Sequence, residues 1–368
     1  MAHSYQSSEI FHGIADVTGD SLALAQAAAD CDAELIVLCG VHFMAESAKI
    51  LAPHRTVLIP DLEASCSLAS SISADDVREL SAQYPGVPVV SYVNTSAAVK
   101  AESDACCTSA NALQVVEAMG ADRVIFLPDR FLGSYVATQT EVELVLWDGR
   151  CEVHEKFTAE QARHARERFD AKLVAYPECS PEVLAEVDFV GSTSAMGCWL
   201  AREKPARITL ITECSLADNL RAQFPATEFI KPCNLCPHMQ RITLQKTYAC
   251  LRDFKHEVDV PPDIADARGR SARNGVMRGR WPVVAIGGGV AGLVTALAAA
   301  PMPMRLRCCV HDDSGTTSAL AQGGIAAALD PADSPAAHAR ETLAAGAQHK
   351  AASLGHARQT CSVWLDDG

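Results

Sequence analysis

The chain has 368 residues, 49% hydrophobic and 21% charged, with 15 cysteines and a formal net charge of −14. At roughly 100–200 residues per domain, this length excludes a single small domain and predicts two or three compact units. The 45 acidic against 31 basic groups make nucleic acid a poor partner, because affinity for a phosphate backbone needs clustered Lys and Arg.

The opening MAHSYQSSEIFHGIADV has neither the basic nor the apolar region of a secretory signal, which places the protein in a reducing cytoplasm where most cysteines stay thiols. Through residue 250, short β-rich runs alternate with helical stretches. The strand-like runs are Ala33–Cys39, a run before Cys66 (TVLIPDLEASC), Val87–Val93, Arg123–Leu127, Val142–Trp147, Lys172–Tyr176, Arg207–Thr212 and Glu228–Ile230. Between them lie helix-like segments such as Ser21–Ala29 and Ala110–Met119. Strand alternating with helix predicts parallel sheets covered on both faces.

Residues 256–282 read as a linker, with Pro-Pro, scattered Gly and five arginines between Pro261 and Pro282. Val283 to Ala300 then runs 18 residues without a charge, long enough to raise a transmembrane helix. Gly287, Gly288 and Gly289 near its start would weaken a helix, so a strand, a glycine turn and a helix fit better and no membrane partner is expected. Residues 351–368 show no periodicity and read as an unstructured tail.

Three sets of residues recur at nearly one period. Cys66, Cys151 and Cys236 are spaced by 85 and 85 residues, each at a turn after a predicted strand. Ser21, Ser109 and Ser192 are spaced by 88 and 83, each opening a helix-like run, and Tyr5, Tyr92 and Tyr176 by 87 and 84. The period implies three similar αβα units of about 85 residues with helical crossovers between parallel strands. Ligands of such units collect outside the carboxyl ends of the strands, so the three ends can meet at one site.

Three thiolates converging there would bind a soft metal, zinc or an iron–sulfur cluster. A structural zinc wants a fourth protein ligand, whereas a three-thiolate cubane leaves one iron open as a Lewis acid. Cys233-x-x-Cys236 has no second Cys-x-x-Cys to complete a zinc ribbon. Cys31, Cys39, Cys106, Cys107, Cys198, Cys214 and Cys250 read as buried apolar fillers. Helix N-termini at the serines would hold anionic groups or be simple caps. Polar residues at strand ends surround them: His3 and Tyr5, Tyr92 and Asn94, Cys151-x-x-His154, and Tyr176 and Glu178, the last a candidate general base.

The strings AHSYQ, GDSLALA, GVHFMAE, PDLEASCSLA, YVNTSAAVKAESD, CCTSANA, CEVHEKFT, DFVGST and CNLCPHMQRITL resemble quinolinate synthase, the iron–sulfur enzyme of NAD biosynthesis, over residues 1–255. The resemblance implies three αβα domains about a pseudo-threefold axis around a central site. It implies that iminoaspartate and dihydroxyacetone phosphate condense to quinolinate with loss of phosphate and water. Cys66, Cys151 and Cys236 would bind a [4Fe–4S] cluster. His3, Ser21, Tyr92, Val93, Asn94, Ser109, Tyr176, Pro177, Glu178 and Thr193 would contact substrate, with Glu178, Tyr5 and His3 as catalytic groups.

Two departures stand out. Tyr176 occupies a position where the family usually has histidine, and a phenol with pKa near about 10 cannot replace imidazole in proton transfer near neutral pH. The chain begins only two residues before His3, so the first repeat is expected to be truncated and its sheet poorly covered. Gly287-x-Gly289-x-x-Gly292 after VVAI is a dinucleotide fingerprint. With ALAQGGIAAAL at Ala319–Leu329, residues 283–350 resemble the FAD-binding, partly Rossmann-like start of L-aspartate oxidase, the supplier of iminoaspartate and hence a candidate partner. The match is short, and FAD is not expected to be held. Two alternatives stay open: a cluster-binding remnant impaired in catalysis, and a flavin oxidoreductase fragment.

Overall fold

A computed structural model describes residues 1–230, 232–261, 264, 283–286, 304–308 and 361–363. It comprises two units, residues 1–279 and 280–368. The first is an α/β unit of parallel sheets built from twelve strands among the described residues: β1 (Ala2–His3), β2 (Thr18–Gly19), β3 (Leu35–Val37), β4 (Thr56–Leu58), β5 (Val89–Tyr92), β6 (Ala105–Cys107), β7 (Arg123–Leu127), β8 (Glu143–Leu146), β9 (Lys172–Ala175), β10 (Phe189–Val190), β11 (Arg207–Ile211) and β12 (Glu228–Ile230). Every strand-like run in the sequence contains one of them, usually trimmed at its ends. The run from Val87 begins as a strand only at Val89 because Pro88 has no N–H to give a ladder. Four strands, β1, β2, β6 and β10, have no counterpart among those runs; at two or three residues they are too short for an alternating pattern to register.

The strands form sheets ordered β6-β5-β7-β8 and β10-β9-β11-β12, all parallel. The pairs β1-β2 and β3-β4 are joined where Ala2 bridges Cys39 in parallel, with His3 N–H donating to Cys39 O and Cys39 N–H to Met1 O. Each set of four strands therefore runs second, first, third, fourth. Ala2 and His3 are buried, and the Met1 ammonium donates to Val37 O at 2.9 Å.

The two faces of a strand separate into different cores, as its two-residue period requires. Val90, Tyr92, Val124 and Phe126 join a main core shared with Ile36, Leu38 and Val57 of the first set and Val174, Ile208 and Leu210 of the third. The alternate residues Val89, Ile125 and Leu127 pack outward with Ile72, Val77 and Val99. Leu173, Ala175 and Ile211 do the same with Phe157, Ala162 and Val183. Burial on both faces is why RVIFL and RITLI are nearly continuous apolar runs. Several helix starts between the strands are capped by side chains, with reciprocal capping boxes at Ser73/Asp76 and Thr158/Gln161.

The start of the expected linker is structured. Leu58 bridges Glu257 antiparallel, Ile59 N–H donates to His256 O, Val258 N–H donates to Val57 O, and Val258 and Val260 are buried. Residues 256–260 thus cover the exposed edge of β4, which explains why they are not a free connection.

In the second unit, β13 (Val283–Ile286) pairs in parallel with β14 (Met304–Cys308), and β15 (Cys361–Val363) pairs antiparallel to β14. The expected strand at Val283 is present; within the stretch read as an unstructured tail, residues 361–363 form β15, and the rest of that stretch lies outside the described residues. The glycine fingerprint and ALAQGGIAAAL lie outside the described residues. Among the described residues no helix is long and apolar enough to cross a membrane.

Phe126, with no exposed surface in the middle strand β7, provides a test of the shared core. Phe126→Ala should lower the unfolding free energy by about 3–5 kcal/mol, read by urea unfolding followed by tryptophan fluorescence. A loss below about 1 kcal/mol would show that the ring is not packed in a common core.

Candidate metal and substrate site

The three cysteines follow the fourth strand of each set, and one hydrogen bond recurs at all three. The first residue of the helix after the third strand donates its backbone N–H to the carbonyl two residues before the cysteine. The bonds are His42 to Ala64 at 2.7 Å, Arg130 to Gly149 at 2.9 Å and Cys214 to Asn234 at 3.3 Å, from the helices His42–Leu51, Arg130–Ala137 and Cys214–Arg221. The first amides of a helix have no partner inside it, so each helix start ties down a cysteine loop. A Cβ on Gly149 would meet the Pro128 carbonyl and the Ser71 hydroxyl, which explains the glycine at this close approach.

Beyond each cysteine the chain makes one helical turn. Ser70, Glu155 and Gln240 donate N–H to the carbonyls of Cys66, Cys151 and Cys236, each at 3.0 Å. The sulfur of each cysteine accepts hydrogen bonds from the amides two and three residues on: Leu68 and Ala69, Val153 and His154, His238 and Met239. These amides favour thiolate, but burial dominates. It pushes Cys66 up to about 12, Cys236 up to about 11 and Cys151 well above the ordinary thiol value. The thiols also feel one another, Cys66 the charge of Cys236 and Cys151 the charge of Cys66. Such a set stays neutral alone, and three thiolates there would need a soft cation to supply the balancing charge.

The other cysteines divide. Cys39, Cys106, Cys107, Cys179 and Cys250 are buried outside the disulfides and Cys31 is half-buried. Cys214 is not a filler: it forms a disulfide with Cys233, and Cys198 is also disulfide-bonded. The Cys214–Cys233 bridge joins the start of the tethering helix to the loop of Cys236, a proximity that spacing along the chain does not reveal.

Glu178 lies at the centre of the polar network. Tyr92 Oη donates to its Oε1 at 2.5 Å, and His154 Nδ1 lies 2.9 Å from its Oε2 and 3.2 Å from Cys151 Sγ. Burial opposes the charge on Glu178, but the hydrogen bond and charge of His154, with bonds from Tyr92 and Cys151, outweigh it and hold the carboxyl below its usual range. His154 Nε2 lies 3.0 Å from Thr212 Oγ1, which lies 2.7 Å from Tyr5 Oη. The His154 ring stacks on Tyr176 at 4.9 Å, and His3 meets Tyr5 edge-on at 4.8 Å. Burial lowers His3 to about 4, leaving it neutral, and raises Tyr5, Tyr92 and Tyr176 above the ordinary phenol value.

The three periodic tyrosines therefore do meet. Tyr92 and Tyr176 hydroxyls are 3.3 Å apart, and the Tyr5 and Tyr176 rings 6.4 Å. The serines behave differently from one another. Ser192 caps the helix Thr193–Glu203 by accepting from Ala195 N–H. Asp20, not Ser21, caps Ser21–Asp30, and its second oxygen accepts from Ser194. Ser109 lies ahead of the helix Ala112–Ala118 and instead bonds Tyr176 Oη at 2.6 Å.

Among the described residues, the buried side-chain oxygens without a hydrogen-bond partner are Gln6 Oε1, Asn94 Oδ1, Asp129 Oδ2, Thr193 Oγ1 and Thr209 Oγ1, and two of them, on Asn94 and Thr193, belong to the expected contact residues. Val93 and Pro177 are buried beside Tyr92 and Glu178. His154 and Thr212 belong to the network but not to the residues expected to act. Cys151-x-x-His154 signalled the first; nothing in the sequence signals Thr212, a hydroxyl after β11.

Residues 1–276 match the protein family described as quinolinate synthetase A protein, and residues 282–361 the family described as FAD binding domain. The first match runs past residue 255. The chain is similar to quinolinate synthase 1 of Mesorhizobium japonicum, 56% identical over 284 residues, covering 77% of this chain and 84% of that protein. It is similar to quinolinate synthase of Agrobacterium fabrum, 57% over 272 residues, 74% and 79% of the two chains, and to that of Xylella fastidiosa, 55% over 266 residues, 72% and 78%. By the match over residues 1–276, the chain belongs to the quinolinate synthetase A protein family.

Proposed function

We propose that the first unit is a quinolinate synthase that joins iminoaspartate and dihydroxyacetone phosphate, with loss of phosphate and water. In this reading the three four-stranded sets are repeats about a pseudo-threefold axis, and Cys66, Cys151 and Cys236 hold a [4Fe–4S] cluster. The observation that carries it is the threefold recurrence of one tether and one pair of amides on sulfur. Among the described residues, the one group of three ligand atoms within 4.8 Å of one another is Cys151, His154 and Glu178. The three cysteines are thus spread too widely for a single ion, and a polynuclear cluster suits them better. When bound, the cluster supplies an open iron as a Lewis acid.

The chain's own residues supply the rest. Asn94 Oδ1 is an acceptor and takes a substrate N–H or O–H; Thr193 Oγ1, with Ser21 and Ser109, takes substrate oxygens. Val93 and Pro177 are apolar walls. Glu178, ionised between Tyr92 and His154, receives a proton. With Nδ1–H donating to Glu178, His154 Nε2 accepts from Thr212, whose oxygen accepts from Tyr5. That orientation makes a directed hydrogen-bond chain from Tyr5 to Glu178 that fixes the imidazole and the carboxylate in place, while burial keeps the Tyr5 phenol protonated. His3, neutral, accepts the Tyr5 amide at Nδ1, 3.2 Å away. Tyr176 is restricted to hydrogen bonding, since burial moves its phenol further from neutral pH.

Anaerobic purification tests the reading: about four irons and four sulfides per chain, with quinolinate formed from the two substrates, are expected. A cluster without turnover would favour the impaired remnant, and yellow protein with bound FAD would favour the flavin reading of residues 282–361. Cys151→Ala should abolish the cluster while Cys179→Ala, whose sulfur donates to Ile211 O, retains it. Equal loss in both would defeat the ligand assignment. Tyr176→His should raise turnover on the order of 10-fold or more, measured under saturating substrates, and unchanged turnover would show that this position does not limit the reaction.

A further inference from the structure

Cys151 Sγ, His154 Nδ1 and Glu178 Oε2 offer a compact set of metal ligands that shares Cys151 with the three-cysteine group but includes neither Cys66 nor Cys236. The Nδ1 atom lies 3.2 Å from the sulfur and 2.9 Å from the carboxylate oxygen, and all three ligand atoms fall within 4.8 Å of one another. Zinc at about 2.0–2.3 Å from its ligands places neighbouring tetrahedral donors about 3.3–3.6 Å apart, so the two separations from Nδ1 need to open by only a few tenths of an ångström, and the sulfur and the carboxylate oxygen already lie within 4.8 Å of each other. Each ligand is already oriented from behind. Thr212 Oγ1 stands 3.0 Å from His154 Nε2, Tyr92 Oη donates to Glu178 Oε1 at 2.5 Å, and the amides of Val153 and His154 hold Cys151 Sγ. Such outer partners normally accompany metal-binding histidines and carboxylates.

We propose that Cys151, His154 and Glu178 form a binding site for a single zinc ion, with a fourth position left to water, and that the ion and the three-cysteine group exclude each other because both need Cys151. Zinc binding releases the Cys151 thiol proton to solvent and places His154 in the tautomer with Nε2–H donating to Thr212. Thiolate and carboxylate together balance the charge of the ion, which suits a buried site. The zinc site stands on this geometry alone; the exclusion rests on the proposed cluster assignment.

The cluster-free full-length chain, titrated anaerobically with Co²⁺, tests it. One ion per chain is expected, with a tetrahedral spectrum carrying charge transfer from a single thiolate and displaced by Zn²⁺. Binding should weaken at least about 10–100-fold in Cys151→Ala, His154→Ala and Glu178→Gln and persist in Cys66→Ala and Cys236→Ala, with circular dichroism showing that each variant is folded. A spectrum of two or more thiolates, binding lost in Cys66→Ala or Cys236→Ala, or binding retained in folded His154→Ala would overturn the site. Zinc-loaded chain should also resist iron–sulfur reconstitution until the zinc is chelated. Full reconstitution with zinc retained would overturn the exclusion and Cys151 as a cluster ligand, while leaving the zinc site standing.

Discussion

Everything at the site depends on a backbone hydrogen bond made three times, from the first amide of a helix to the carbonyl two residues before a cysteine. A helix start always has amides without partners, and a loop leaving the neighbouring strand always has carbonyls without partners. Joining the two satisfies both and brings the sulfur to the carboxyl end of the sheet. The strand order makes the pairing available, since the third and fourth strands are adjacent in each set. The following turn aims two amides at the sulfur, so the loop prepares a position for thiolate even while burial keeps the thiol protonated.

The backbone repeats, but the side chains on it do not. Before the tethering helix stand Val41, Asp129 and Glu213. Asp129 caps by accepting from Leu132 N–H at 2.8 Å, and Glu213 accepts from Ser215 N–H at 2.7 Å and from Cys236 N–H at 3.4 Å. Burial raises both carboxyls, Glu213 to about 7, so neither adds a full negative charge beside sulfur. Glu178 is the contrasting case, equally buried but held ionised by His154 and Tyr92. One scaffold therefore holds carboxyls of opposite charge state by the donors it presents to each.

The period of 85 residues made the three cysteines legible because it survives in residue spacing, and their tethers and amides show why: the loop geometry fixes where sulfur must sit relative to the fourth strand. The long central strands were legible because Ile125, Phe126 and Leu127 are apolar on both faces. The short strands Ala2–His3 and Phe189–Val190 were not, since two residues carry no period. Thr212 and the Cys214–Cys233 disulfide were invisible for another reason. Their roles come from neighbours far along the chain, such as Tyr5, 207 residues from Thr212, and a lone Thr or Cys has no local signature. Ser21 does open its helix, but Asp20 takes the cap by accepting from Ala23 N–H, and Ser109 lies ahead of its helix, where Asn111 Oδ1 accepts from Thr108 rather than capping.

His154 connects these observations. Its backbone amide holds Cys151 sulfur, its ring stacks on Tyr176, one nitrogen faces Glu178 and the other faces Thr212. At Tyr176 the phenol stacks on His154 and bonds Ser109, and burial moves it further from neutral pH. The imidazole linked to both Glu178 and Tyr5 is then His154. Thr212, able to donate or accept, permits either tautomer of His154, with Nδ1–H facing Glu178 or with Nε2–H facing Thr212.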